Sequence, residues 1–320
     1  MKVRFFAMAW NWGIEAFCNS TLPSLMQPDN IPWLVSHGFD VSLNVYTLAK
    51  DAAELRTALN NALQNAAPLG DAFAVNVGPI DLDPSDSASL KRIAFLTECR
   101  LAVEEGSPIH VTGADCVYGN GSIRNICVYG RKPGIAIAVL YARVKQDPFL
   151  RLLSEYRRAF PREPLPNAKL VDMALRTPID AIAHSYVDVD RNASLRSGTA
   201  FRQISDDIHA SVYHLPGPVM FWPNESDIAF IDQSCGGVVE SIDHLWPAKL
   251  VAERRWRIMA STDLFFYVEL NDGSTERLHS YPLEDGRLFN EDYELGLPHT
   301  LLSQNVVATF RREPYLSRPS

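Results

Sequence analysis

The chain has 320 residues, of which 47% are hydrophobic and 21% are charged, and its formal net charge at pH 7 is −8. This composition is typical of a folded globular protein, and the negative balance argues against a broadly electropositive surface that grips nucleic acid. No apolar run in the sequence approaches the ~20 residues that a membrane-spanning helix needs.

The cysteines and the first residues indicate the cellular compartment. Five cysteines form neither a C-x-x-C pair nor a zinc spacing, and an odd number suits free thiols in a reducing environment. The opening stretch Met1 to Arg4 leads into a strand pattern and lacks the features of a signal peptide. We therefore expect a cytoplasmic protein without a disulfide framework.

The first predicted strand is the apolar run Val3 to Trp10, which has the character of a buried strand in a parallel sheet. A loop follows in which Asn11, Trp12 and Gly13 offer a side-chain amide, an aromatic face and a flexible backbone. These groups suit stacking and hydrogen bonding of a nucleobase. The alternative is that Trp12 only packs on the edge of the sheet.

Two further strands are predicted in the first part of the chain. Ser20 or Thr21 is expected to cap a helix after the loop, and Phe39 to Thr47 then alternates as a second strand. Tyr46, near the end of that strand, is expected to face the same crevice as Asn11. Phe73 to Ile80 is the third predicted strand.

A long amphipathic helix is predicted to begin at Ser87 or Ser89 and to end at Glu105. Lys91 and Arg92 lie in its first turn, where the helix dipole already favours anions. The two side chains are candidates for binding a pyrophosphate. The alternative is that they only shield one face of the helix.

The most informative stretch is the predicted strand Pro108 to Thr112, which runs directly into Gly113 and Asp115. Ligands of open α/β sheets bind in the crevice beyond the carboxyl ends of the strands, so this acid is placed to meet a phosphate-bound cation or a sugar hydroxyl. The alternative is that Asp115 caps a turn. Ser122 is then expected to cap a helix, and Gly134 to Val144 reads as a central strand buried on both faces.

The order of these elements predicts an α/β protein with a three-layer α/β/α, Rossmann-like and mostly parallel sheet, followed by a mixed α+β C-terminal extension. Residues 1–160 are expected to form one half of a continuous domain. Residues 161–320 are expected to form the other half and the extension.

The C-terminal half carries candidate catalytic residues. Asp243 and His244 are suited to act as a general base, although His244 also fits a helix cap. Arg254 and Arg255 are candidates for contacting a diphosphate leaving group. Asp263, which enters an aromatic strand, is a third candidate acid.

Two of these stretches resemble glycosyltransferases. The run from Ser89 to Ile126 resembles the middle of a GT-A-type glycosyltransferase, in which a helix leads through a glycine to a strand ending in a D-x-D motif. Gly113 replaces the first acid of that motif, and Asp115 occupies the second position. Asn19 to Leu34 is similar to the opening of an uncharacterised group of bacterial and phage glycosyltransferase-like proteins, and Ser261 to Asp263 forms a late SxD segment.

The resemblance implies that residues 1–160 are a nucleotide-sugar-binding half and that residues 161–320 form the acceptor side, where Asp243 or His244 would be the general base of an inverting glycosyl transfer to a hydroxyl. The diphosphate of the nucleotide-sugar donor would lie near Asp115, held with Mn²⁺ or Mg²⁺ at that acid. The implied acceptor is a hydroxyl, with a modified base of phage DNA, a glycan, a lipid, a protein and a small molecule all open. Because Gly113 has replaced an acid, the chain is alternatively a catalytically inactive nucleotide- or glycan-binding protein of the same fold. A nucleotidyltransferase is the other alternative.

Overall fold

The computed structural model describes residues 1–64, 69–83, 87–139, 141–179, 199–205, 208–213, 218–234, 246–259, 261–271 and 307–311. The chain divides into two compact units. The first comprises Met1–Val139 and Pro216–Met259, and the second comprises Leu140–Leu215 and Ala260–Ser320. Within the described part of the chain, no helix combines the length and hydropathy that a membrane crossing requires.

The first unit is built on a seven-stranded sheet with the strand order β11-β6-β10-β4-β1-β2-β3. Only β10 runs antiparallel to its neighbours β4 and β6, while the other pairings are parallel. The α/β fold with a mostly parallel, Rossmann-like sheet is therefore confirmed. Its strands are β1 (Lys2–Met8), β2 (Asp40–Leu48), β3 (Phe73–Ile80), β4 (Ile109–Thr112), β6 (Ala136–Val139), β10 (Met220–Phe221) and β11 (Trp256–Met259).

Helices connect these strands, and the chain order decides which face each one covers. The unit contains α1 (Trp12–Ala16), α2 (Leu22–Leu25), α3 (Ile31–Ser36), α4 (Ala52–Leu63), α5 (Ser87–Glu105), α6 (Ser122–Tyr129), α9 (Glu225–Ser234) and α10 (Trp246–Ala252), with a short strand β5 (Cys116–Tyr118) before α6. The connections from β1 to β2 and from β2 to β3 each lead to the next strand in the same direction across the sheet. The connection from β3 to β4 leads in the opposite direction, back past β2 and β1. Right-handed crossovers therefore place α3 and α4 on one face and α5 on the other.

The helical passage after β1 differs from the prediction. A helix was expected to begin at Ser20 or Thr21, whereas helical structure begins at Trp12 and continues through a π-helical turn, Phe17–Thr21, into α2. Burial explains the earlier start, because Ile14, Phe17 and Leu22 of this helical passage are all fully or almost fully buried. Likewise α6 begins at Ser122, so its N-cap is Gly121 with φ 87° and not the predicted serine.

The predicted strand Gly134 to Val144 is two strands in the structure. β6 ends at Val139, and β7 (Tyr141–Lys145) belongs to the second unit. The predicted functional halves, 1–160 and 161–320, stay a prediction. The boundary between the compact units differs from the boundary between these halves, because β10 and β11 lie after residue 160 and yet belong to the sheet of the first unit.

The second unit has its own small elements. In it β12 (Tyr267–Asn271) pairs in parallel with β7, and the rings of Tyr141 and Tyr267 stack with a centroid separation of 5.1 Å. The unit also contains α7 (Gln146–Ala159), α8 (Asn167–Arg176), β8 (Thr199–Ser205), β9 (Ile208–Tyr213) and β13 (Val307–Arg311), of which β8 and β13 flank β9 in antiparallel pairing.

Candidate functional site

The carboxyl ends of three adjacent strands in the first unit define the candidate site. In the register of the sheet, Met8 of β1 lies opposite Tyr46 of β2, and Ala7 lies opposite Thr112 of β4. The segments that leave β1 and β4 therefore emerge next to each other. A β-carbon on Gly13 would lie 3.5 Å from Cβ of Ala114, which places the two segments in van der Waals proximity.

The loop after β1 presents a strained backbone and an exposed ring. Asn11 has φ 51° and ψ −129°, and the amide of Gly13 donates to the carbonyl of Trp10 at 3.0 Å. These angles are those of the first central position of a type II′ turn, which glycine normally occupies. Trp12, the next residue, is 58% exposed. The turn thus projects a large aromatic side chain and an amide at the edge of the sheet.

Asp115 lies three residues beyond the end of β4 and is half-buried. Its Oδ1 lies only 2.8 Å from the position that a β-carbon on Gly113 would take, and Sγ of Cys116 lies 2.9 Å from that position. Any larger residue at 113 would collide with both side chains. The observed position of the Asp115 carboxylate therefore requires a residue without a β-carbon at position 113.

The backbone on both sides of Asp115 is held by one buried hydroxyl. Oγ1 of Thr21 donates to the carbonyl of Ala114 at 2.9 Å, with a longer contact of 3.3 Å to the carbonyl of Gly113. The same oxygen accepts a hydrogen bond from the amide of Cys116 at 2.9 Å. Thr21 is completely buried. The peptide units before and after Asp115 are thereby fixed to the π-helical turn.

A second set of hydrogen bonds extends this connection to the turn before α6. The fully buried Asn30 accepts from the amides of Gly121 and Ile123 and donates to the carbonyl of Gly119. Asn120 accepts from the amide of Asp29 at 2.9 Å and donates to its carboxylate at 3.0 Å. The structure thus joins the two stretches of sequence that resemble glycosyltransferases.

Tyr46 lies in the core of the first unit. Its side chain is 7% exposed, and its hydroxyl donates to Glu98 of α5 at 2.9 Å. Glu98 is completely buried and also accepts from Arg4 and Asn44. Burial, followed by the charge of Glu98, raises the pKa of Tyr46 above its ordinary value. Its predicted role in donor binding stays a prediction, but the hydroxyl is engaged in this network.

Lys91 and Arg92 are the fifth and sixth residues of α5, in its second turn and not in the first turn as predicted, and α5 follows the carboxyl end of β3. They are therefore at the same edge of the sheet as Asp115. The guanidinium of Arg92 bonds the carboxylate of Asp232 in α9 at 2.7 Å. Lys91 is half-buried.

Arg254 and Arg255 lie at the opposite ends of the strands from Asp115, where the parallel strands begin. They precede β11, which runs in the same direction as β4, so they stand at the amino end of the strands. Arg254, with φ 59°, occupies the left-handed position that ends α10. Both terminal nitrogens of Arg255 bond the buried carboxylate of Asp227, at 2.9 and 2.8 Å. The structure does not bring these arginines together with Asp115.

Asp227 is the centre of a second polar cluster that the sequence did not indicate. It is completely buried, it receives hydrogen bonds from Trp246, Lys249 and Arg255, and its carboxylate accepts from the amide of Asn224. Burial raises the pKa of this carboxyl, but Arg255 and Lys249 outweigh burial, so the pKa lies below its ordinary value. The cluster fastens α9, α10 and β11 to one another.

The predicted catalytic residues are not assembled by the described part of the structure. Asp263 is exposed in the second unit, where its amide bonds Oγ of Ser261 and its carbonyl accepts from Asn167. Asp243 and His244 lie outside the described residues. Their roles stay predictions.

The metal prediction rests on Asp115. Among the described residues, no group of three or more His, Cys, Asp or Glu side chains is arranged to hold a metal ion. A divalent cation at Asp115 would therefore take its other ligands from donor phosphates and water, a mode of binding that Mg²⁺ commonly shows. Asp115 alone therefore fits a divalent cation only when a diphosphate supplies further oxygen ligands.

The residues missed from the sequence are Thr21, Asn30 and Glu98. Thr21 and Asn30 belong to the stretch Asn19 to Leu34, whose similarity to glycosyltransferase-like proteins singled out the segment but not its contacts. Glu98 lies in the apolar run of α5, where an acid interrupting a buried face was the available indication.

Comparison with known proteins finds similarity to solved structures but to no family model or curated protein. Among solved structures, the chain is similar to the crystal structure of mouse xyloside xylosyltransferase 1 in its apo form, with a TM-score of 0.30 and 14% sequence identity. The match covers 51% of this chain and 59% of the mouse chain, less than two thirds of its length.

Proposed function

We propose that the protein is an enzyme, a glycosyltransferase that takes a sugar from a nucleotide-sugar donor bound at the carboxyl edge of β1 and β4. The observation that carries the proposal is the placement of Asp115. Its flanking peptides are held by Thr21, its side chain folds over Gly113, and the loop of Asn11 and Trp12 lies beside it. Ligands of open α/β sheets bind in this crevice.

The donor base would stack on Trp12 and hydrogen bond to Asn11. The exposed indole supplies the stacking face, and base–aromatic stacking is sequence-tolerant and favourable by about 1–3 kcal/mol per base. The strained turn at Asn11 supports this assignment, because residues held in sparsely populated backbone conformations concentrate at ligand-binding sites. Lys91, at the start of α5, would contribute positive charge at the same edge.

The diphosphate would lie at Asp115. That carboxylate would hold Mn²⁺ or Mg²⁺, which would supply neutralisation of the charge on the leaving diphosphate. Arg255 is left out of this arrangement because its guanidinium is bonded to Asp227 at the other edge of the sheet. Arg254 shares that edge and is left out for the same reason of position.

In an inverting transfer, the acceptor oxygen forms a bond to the anomeric carbon while the bond from that carbon to the diphosphate oxygen breaks. The nucleoside diphosphate departs with the electron pair, and the acceptor proton passes to a general base. Asp243 and His244 are the proposed base, with Asp263 as the further candidate. The acceptor is a hydroxyl of a glycan, a small molecule or a modified base of phage DNA.

Isothermal titration with a panel of UDP-sugars and GDP-sugars, with and without Mn²⁺, tests the proposal. We expect one nucleotide class to bind, and we expect Asp115→Asn to weaken the Mn²⁺-dependent part of the affinity. Asp71→Asn is the control, since this exposed acid precedes β3 and lies at the amino edge of the sheet. Failure of every donor to bind would overturn the proposal.

A second candidate function is a nucleotide- or glycan-binding protein that has kept the fold without the chemistry. The observation that favours it is Gly113, which stands in place of an acid and leaves no room for one. Turnover decides between the two. Slow hydrolysis of a bound donor that Asp115→Ala abolishes would establish an enzyme, whereas tight binding with no turnover would establish a binding protein.

A further inference from the structure

The hydroxyl of Thr21 connects its helical passage to the segment that carries Asp115. It bonds the carbonyl of Ala114 and the amide of Cys116, the groups immediately before and after Asp115. Two peptide planes meet at the α-carbon of Asp115, so holding both of them sets the backbone angles of that residue. The rotamers open to its carboxylate depend on these angles.

The helical geometry around Thr21 is itself unusual. Phe17–Thr21 forms a π-helical turn between α1 and α2. A π turn holds an additional residue, which rotates the following side chains about the helix axis, and such turns are rare and frequent at functional sites. The fully buried Thr21 is the last residue of this turn. The distortion therefore ends at the hydroxyl that contacts the Asp115 segment.

Packing completes the constraint on Asp115. The close approach of its Oδ1 to Gly113 leaves the carboxylate folded over a residue that has no side chain. The observed orientation of the side chain therefore needs a residue without a β-carbon at position 113, and Thr21 fixes the backbone from which that orientation starts. Both features act on a half-buried acid beyond the carboxyl end of β4.

We propose that Thr21 is a positioning residue for Asp115, acting through its bridging hydroxyl to hold the carboxylate where the donor diphosphate binds. This inference rests on the proposed function, because it gives Thr21 a role only if Asp115 meets a donor. Thr21 itself touches no ligand. Its contribution is to hold the backbone that orients the carboxylate of Asp115.

The test compares Thr21→Val, which keeps the shape and removes the hydroxyl, with Thr21→Ser, which keeps the hydroxyl. The probes are UDP-glucose and GDP-mannose in the presence of Mn²⁺. We expect the valine variant to bind the favoured donor about 10- to 100-fold more weakly, which is the range seen when a hydrogen-bonding partner of a metal-ligating side chain is removed. The serine variant should stay within a few-fold of the wild type.

A double-mutant cycle separates positioning from general stability. In an Asp115→Ala background, Thr21→Val should cause no further loss of donor affinity, because the group it positions is gone. Hydrogen exchange of the Cys116 amide should accelerate in Thr21→Val and remain slow in Thr21→Ser. Should Thr21→Val fail to fold, Thr21→Ala, which leaves room for a bridging water, takes its place.

Ser24→Ala is the matched control. Ser24 is almost completely buried, and its hydroxyl donates to the carbonyl of Thr21 without reaching the Asp115 segment. We expect a similar loss of thermal stability with unchanged donor affinity. If the wild type binds a donor and Thr21→Val binds it equally well, the positioning role is refuted while the proposed function survives. If the wild type binds neither probe nor any other donor, both are refuted.

Discussion

Gly113 and Asp115 are in such close contact that a methyl group on the glycine would lie 2.8 Å from Oδ1 of the acid. The same methyl group would lie 2.9 Å from Sγ of the buried Cys116. The observed orientation of the Asp115 carboxylate therefore depends on the absence of a side chain at position 113.

Gly113→Ala should displace the carboxylate of Asp115 and strain the packing around Cys116. We expect a loss of about 1–3 kcal/mol in the free energy of unfolding, the usual effect of adding atoms to a packed site, together with weaker Mn²⁺-dependent donor binding. Urea unfolding and isothermal titration measure the two effects. Gly13→Ala is the control for stability, because its new methyl group would make an ordinary contact of 3.5 Å with Ala114. Unchanged donor affinity in Gly113→Ala would contradict the packing argument.

Asn11→Gly should stabilise the protein while weakening donor binding. Asn11 occupies a backbone position with φ 51° that glycine adopts without strain. Relief of that strain, less the greater freedom of glycine in the unfolded chain, leaves a net gain of about 1 kcal/mol. Thermal unfolding measures the gain.

Asn11→Ala separates the two properties of this position. It removes the side-chain amide but keeps a β-carbon in the strained conformation, so it should weaken donor binding without raising the melting temperature. A melting temperature of Asn11→Gly at or below that of Asn11→Ala would show that the turn is not strained.

Asn30→Ala should cost about 2–4 kcal/mol in the free energy of unfolding. The substitution leaves the amides of Gly121 and Ile123 without their acceptor inside the protein, and each unpaired buried group costs about 1–3 kcal/mol. Asn120→Ala is the control, since Asn120 is only partly buried and its bonds to Asp29 lie near solvent. Chemical denaturation compares the two variants, and equal losses would mean that burial does not set the cost.

Asp227 should make the stability of the first unit sensitive to acid. Its pKa in the folded protein lies below its value in the unfolded chain, so its contribution is fully present above the unfolded value of about 3.9 and disappears as the pH falls through the folded pKa. Asp227→Asn should therefore be strongly destabilised at pH 7, by about 3–5 kcal/mol as for other broken buried ion pairs. The difference from wild type should shrink in acid.

Urea unfolding of both proteins at pH 7, pH 5 and pH 3 measures this difference. Asp232→Asn provides the control, because the pair of Asp232 with Arg92 is substantially exposed and contributes about 1 kcal/mol or less. A difference between wild type and Asp227→Asn that is constant over this pH range would contradict the role assigned to the ionised carboxylate.

The strands of the first sheet could be predicted because their signal is local. Val3 to Trp10 and Phe73 to Ile80 are marked by runs of apolar and β-branched residues. In the structure β1 overlaps the first run but begins one residue earlier, at Lys2, and ends at Met8, while β3 coincides with the second run. The strand predicted at Gly134 to Val144 was wrong in its length. An apolar run indicates burial, and it contains no information on where the chain passes from one compact unit to the other.

For the candidate site, the sequence by itself determined which acid follows a strand and which loop carries an amide and an aromatic ring, whereas the exposure of that ring came from the structure. Only the tertiary structure decided how Asp115 is held, because Thr21 lies 95 positions from Cys116 and their hydrogen bond leaves no periodic pattern in the chain. It also separated Arg254 and Arg255 from that acid. The direction of each strand in the assembled sheet decides at which end of the strands a flanking side chain lies. Residue spacing does not encode that direction.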